Sequence, residues 1–205
     1  MLVVTNRRLV KGDFKERLEM VCKADVDAVV LREKDWTREE CESFLQRLSA
    51  LDKIFVNNPN MRNYSCISVP FAEFEYKKDV KTIVSVHSEE EAEIAEKKGA
   101  SALMVGHIFA TDCKKGLPPR GLEFLNKVCS AVSIPVFAIG GIDATNARYV
   151  MEAGAFGCAV MSGAMTKDNV SEYLEKIIEI ERIYRSKKER LSDMASKLFA
   201  RIASD

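Results

Sequence analysis

Residues 106–121, GHIFATDCKKGLPPRG, set His107, Asp112, Cys113, Lys114 and Lys115 among three glycines. An imidazole titrates near neutrality, so His107 is suited to remove a proton and return it within one turnover. The same ring would equally serve as a structural histidine bonded to a loop carbonyl. Lys114 and Lys115 read as solvated loop charges, or one of them as a contact for an anionic substrate. Cys113 has no base placed beside it by sequence, so it is a poor nucleophile candidate. The second histidine, His87 in VHSEEE, adjoins a helix start and reads as orienting Ser88. Two other stretches, AIGGIDATN at 138–146 and AVMSGAM at 159–165, bring small residues together. Unhindered main-chain amides at Gly140, Gly141, Ser162 and Gly163 would suit a phosphate. Arg32, Glu33 and Lys34 add charge after another apolar run.

Elements that would bring these residues together are visible as alternating segments. Apolar runs at 2–5, 27–32, 53–57, 66–69, 82–86, 102–106, 135–140 and 157–161 make eight candidate strands. Their apolarity is continuous rather than alternating, as expected of parallel strands covered on both faces. Helices begin after Thr37 and Ser88, each followed three residues on by a glutamate in the capping-box pattern, and Gly99 ends the second. Residues 58–81 are too short for two full crossover helices. Eight β/α repeats in 205 residues predict one α/β domain, a single compact (β/α)8 TIM barrel. A doubly wound sheet is the rival, but no G-x-G-x-x-G follows the first strand. In the barrel, strand carboxyl ends converge on one mouth. They bring Arg32, Glu33, Lys34, Asn57, Asn58, His87, His107, Gly140, Gly141, Ser162 and Gly163 to it.

Composition narrows the partners. Lys plus Arg equal 31 and Asp plus Glu equal 31, so no global field favours nucleic acid or an acidic membrane. Neither a basic leader with a long apolar stretch nor a membrane span is expected. The six cysteines are dispersed without C-x-x-C pairs or zinc spacing, which reads as buried thiols in a reducing cytoplasm and no metal site.

In order and spacing, REK after the second strand, VSVHS at the fifth, GHIFATDCKKG with RGLEFL, IPVFAIGGI, and GAFGCAVMSGAM resemble the thiamine phosphate synthase and TenI superfamily of small barrels. The resemblance runs from about Leu2 to Glu181 and is densest from 82 to 165. Loop six is similar to the TenI branch, the thiazole tautomerases of thiamine biosynthesis. The synthase branch usually has glycine-proline where this chain has Gly106-His107, and T-x-T-K where it has Thr111-Asp112-Cys113-Lys114. The resemblance implies an isomerase without cofactor, acting on a small-molecule thiazole phosphate. His107 would be its acid-base group. Gly140, Gly141, Ser162 and Gly163 would hold the phosphate, and Arg32, Lys34 or Lys114 would meet the carboxylate. The alternative is the synthase, which joins a pyrimidine pyrophosphate to a thiazole phosphate using magnesium held by carboxylates. That branch's asparagine-aspartate is Asn57-Asn58 here, and its glycine-x-x-aspartate is missing from SVPFAEFEY, with Glu73 or Glu75 as conceivable replacements. A non-catalytic regulatory protein is a third reading.

The chain ends with RIYRSKKERLSDMASKLFARIASD at 182–205, carrying seven basic and three acidic side chains. Leu191, Met194, Ala195, Leu198, Phe199 and Ile202 recur at helical spacing. An appended amphipathic helix is expected, packed either across the barrel's outer helices or against a second subunit in a homo-oligomer.

Overall fold

The eight apolar runs become β1 Leu2–Val4, β2 Ala28–Leu31, β3 Ile54–Val56, β4 Cys66–Pro70, β5 Lys81–Val86, β6 Ala102–Gly106, β7 Val136–Ile139 and β8 Gly157–Val160. All neighbours pair in parallel and in sequence order, and β1 closes on β8 through Leu2 with Ala159 and Val3 with Val160. The computed structural model describes residues 1–61, 64–114 and 116–202, except the side chains of residue 113 and of 191–202. The expected α/β architecture, a closed (β/α)8 TIM barrel, is what these strands form.

Continuous apolarity has the expected cause: alternate side chains enter two cores. Leu2, Val4, Ala28, Val30, Ile83, Ala102, Met104, Phe137 and Ala159 fill the barrel interior. Val3, Val29, Leu31, Val56, Ile67, Val69, Val84 and Leu103 point outward into a larger layer shared with the helices.

Helices α1 Phe14–Lys23, α2 Arg38–Leu45, α3 Glu89–Lys97, α4 Gly121–Ala131, α5 Ala147–Glu152, α6 Ser162–Thr166 and α7 Val170–Ile202 complete the chain. Thr37 makes a full capping box with Glu40. Ser88 accepts the Glu91 N–H, but the Glu91 carboxylate reaches back to the His87 N–H at 2.6 Å, one residue before the cap. Crossovers three and four shrink to single 3-10 turns at Pro59–Met61 and Phe71–Glu73, as their length requires.

Residues 182–202 continue α7 rather than forming a separate helix. No glycine or proline interrupts 170–202, so nothing in the backbone ends it. Val170, Leu174, Ile177, Ile178 and Glu181 form its buried face, and residues 186–190 are exposed. The expected apolar stripe at 191–202 falls on side chains outside the described residues. At the amino end of the barrel, buried Glu181 accepts the Cys158 N–H at 2.6 Å. It also pairs with the Met1 amino group at 2.8 Å and with Arg185 at 2.9 Å. No helix among the described residues is long and apolar enough to cross a membrane.

Candidate active site

The interior phase of each strand decides which loop residues face the mouth. Two residues beyond inward-facing Val30 stands Arg32, whose side chain is exposed, with no hydrogen-bond or ion-pair partner among the described residues. Lys34 is also exposed. Glu33 lies between them in the opposite phase and is 4% exposed. It accepts hydrogen bonds from Thr5 Oγ1 at 2.8 Å, the Arg7 N–H at 3.0 Å and the Arg7 guanidinium at 2.9 Å. Glu33 is thus a clasp between the loops after β1 and β2, not a mouth group. Arg7 and Arg8 also grip Asp35, and the Arg7 hydrogen bond holds that carboxyl well below its usual range.

Asn57 and Asn58 after β3 are both structural. The Asn57 amide reaches Ser68 Oγ at 3.4 Å within the barrel. Asn58 donates to the carbonyls of Glu33 at 2.9 Å and Trp36 at 3.0 Å, and its oxygen accepts the Asn60 N–H at 2.8 Å. His87 keeps to the rim, exposed, with Nδ1 3.4 Å from the Glu91 carboxylate.

His107 is 6% exposed. Its Nε2 lies 3.4 Å from the Leu117 carbonyl, the structural alternative anticipated for this ring. The main chain continues to pair beyond β6, with the Ile108 N–H on the Ile139 carbonyl at 3.1 Å and the Phe109 N–H on the Gly140 carbonyl at 3.0 Å. That pairing requires glycine at 140: a Cβ there would lie 2.6 Å from His107 Cβ. Gly140 and Gly141 both turn with positive φ, 112° and 65°. At the far end of loop six, the Arg120 and Gly121 N–H groups bond the His107 and Ile108 carbonyls, so the loop is pinned at both ends.

Between loops six, seven and eight lies a cavity of 170 Å³. His107, Lys114, Gly140, Gly141, Ser162 and Gly163 all line it, so six of the expected site residues converge. Arg32 and Lys34 do not line it; they stand on the loop after β2, apart from this cavity. The α6 turn begins with a bond from the Met165 N–H to the Met161 carbonyl. Thr111 and Tyr173 also line the cavity and were not anticipated. Thr111 stood in the quoted motif, whereas Tyr173 sits on α7 with no motif around it. Lys115 lies outside the described residues.

Carboxylate-held magnesium, implied by the synthase branch, does not fit these side chains. Asn58 is neutral and spent on backbone bonds. Glu73 and Glu75 share a cavity with Ile67 and Val69, which point out of the barrel, so both acids belong to the outer wall. Among the described residues no group of three His, Cys, Asp or Glu is placed to hold a metal ion.

Closed parallel strands with a glycine-lined cavity among the loops at their carboxyl ends define a TIM barrel. A family described as thiamine monophosphate synthase matches residues 73–164. The thiamine-phosphate synthase of Pyrococcus furiosus is 48% identical over 98 residues, covering 46% of this chain and 47% of that protein. Over that match the chain spans about half the length of its relative. The thiamine-phosphate synthase of Syntrophomonas wolfei is 30% identical over 198 residues, covering 88% of this chain and 95% of that one. A solved thiamine phosphate pyrophosphorylase from Pyrococcus furiosus superposes with a TM-score of 0.72 at 30% identity, covering 89% of this chain and 95% of that one. The chain belongs to the thiamine monophosphate synthase family.

These relatives overturn the expectation of a tautomerase, and of an isomerase generally, because each carries the synthase or pyrophosphorylase name. The expectation rested on the form of loop six, on the missing glycine-x-x-aspartate and on Asn58. The Asn58 amide ties two loops together and says nothing about which bond is made at the mouth.

Proposed function

We propose that this chain is a thiamine-phosphate synthase, a transferase that joins a pyrimidine carried on pyrophosphate to the ring nitrogen of a thiazole phosphate. The new C–N bond replaces the C–O bond to pyrophosphate, which leaves as the anion. The observation that carries the proposal is the match along nearly the whole length of a synthase, 95% of that relative at 30% identity.

The site residues take roles consistent with that reaction. Amides at Gly140, Gly141, Ser162 and Gly163 hold the thiazole's phosphate. Arg32 and Lys34 meet the pyrophosphate and steady the charge that develops as it departs, and Lys114, which lines the cavity, meets the thiazole's phosphate. His107 anchors loop six through its main-chain carbonyl, which takes the Arg120 N–H, rather than carrying a proton. Residues 1–205 act as one barrel domain in a reducing cytoplasm. The carboxyl-terminal part of α7 meets a second copy of the chain.

The test is direct. Purified protein is incubated with the two substrates and magnesium chloride, and thiamine phosphate and pyrophosphate are measured by mass spectrometry. Equimolar appearance of both supports the proposal. No product, under conditions in which the Pyrococcus furiosus synthase turns over, overturns it.

A further inference from the structure

A synthase of this kind handles two anions, one a single phosphate and the other a diphosphate, and must keep the second off the seat of the first. Tyr173 stands where that distinction would be made. It is carried to the mouth by the first turn of α7, whose Val170, Leu174 and Ile177 are fully buried against the barrel. It lies beyond residues 73–164, which match the family. The ring covers Gly163 so closely that a Cβ there would lie 2.8 Å from Cε1 and nearer still to the hydroxyl end. The hydroxyl reaches across to the Ile142 carbonyl at 3.4 Å. Hydroxyl hydrogen bonds centre near 2.7–2.8 Å, so this contact is weak and leaves the proton free to turn toward an anion.

We infer that Tyr173 is a specificity-determining residue: its ring closes the cavity beside Gly163 so that one phosphoryl group fits, and its hydroxyl donates to that group. The inference rests on the reading that loops seven and eight take the phosphate. Burial pushes the phenol up to about 12, so near neutral pH it is an uncharged donor that does not repel the ligand.

Calorimetric titration with inorganic phosphate and inorganic pyrophosphate tests this in an Arg32→Ala background, which weakens the other anion seat. Tyr173→Phe keeps the ring and removes the donor, and should weaken phosphate binding roughly tenfold, the usual loss for a hydrogen bond to a charged group. Tyr173→Ala should raise the affinity for pyrophosphate relative to phosphate at least tenfold. Tyr173→Leu replaces it if circular dichroism shows that the alanine variant is unfolded. Unchanged phosphate affinity in Tyr173→Phe refutes the donor, and an unchanged ratio in the smaller variants refutes the gate. Parent protein that binds no phosphate refutes the seat itself. None of these measurements requires turnover, so a chain that shows the binding shifts but makes no thiamine phosphate fails only the synthase proposal.

Discussion

The side-chain amide of Asn58 donates to the main-chain carbonyl of Glu33 at 2.9 Å, locking the loop after β3 to the loop after β2. A second bond from the same nitrogen reaches Trp36. Asn58→Asp replaces this donor with a carboxylate facing two carbonyls. The variant should lose about 1–3 kcal/mol of stability, the cost of leaving buried polar groups unsatisfied, and should gain no magnesium affinity. Thermal melts and magnesium titration of the variant check both points. A stable protein that binds magnesium tightly would show that position 58 is a metal position after all.

Glu181 gives a second prediction, at the opposite end of the barrel. Its carboxylate serves the Cys158 N–H, Arg185 and the Met1 amino group together. Glu181→Leu strands the Cys158 N–H and leaves the Met1 amino group and Arg185 to Asp27 alone, and should cost about 3–5 kcal/mol, as breaking a buried ion pair from one side does. Urea unfolding measures it. A loss below about 1 kcal/mol, typical of an exposed pair, would mean that water reaches these groups.

Acid should destabilise the protein through Asp27. Burial alone would raise this carboxyl's pKa, but hydrogen bonds and charge from Arg185 and the Met1 amino group hold it below the ordinary value. A group with a depressed native pKa stabilises fully above its unfolded value, about 3.9 for aspartate, and that contribution is lost as pH falls through the lower native value. The melting temperature should therefore drop as pH falls below about 4, and Asp27→Asn should flatten that limb. Parallel acid limbs in the two proteins would contradict the pairing.

Removing residues 186–205 takes away the carboxyl-terminal part of α7. The truncated chain should remain folded and bind phosphate as before, while its mass by light scattering falls from that of an oligomer. An unchanged mass would eliminate the subunit contact, and unfolding would place the segment on its own barrel.

How much of this was readable in the sequence depends on how local the cause is. Strands announced themselves because a residue such as Val29 or Val30 is apolar whichever core it enters. Gly140 and Gly141 were readable because both turn with positive φ in a loop that approaches another backbone closely. Glu33 was misplaced among the mouth residues because its partner Arg7 lies 26 positions away, and spacing along the chain does not report that pairing. Tyr173 was missed for a similar reason. Within α7 it is one more amphipathic side chain, and only the docking angle of the helix turns it toward Gly163. The continuity of α7 was available from the absence of glycine and proline, but the end of the family resemblance at Glu181 made one helix look like two.

Closure of β1 on β8 sets a condition on biosynthesis. Arg185 must find Asp27 across 158 residues of chain, and the strand pair it lies beside joins the first element to the eighth. Contacts of such sequence separation form late. On the ribosome, β1 and β8 therefore remain open strand edges until α7 has emerged. Unpaired strand edges are sticky, so conditions that slow translation of the last forty or so codons should lengthen dependence on chaperones, whereas slowing the middle of the message should not.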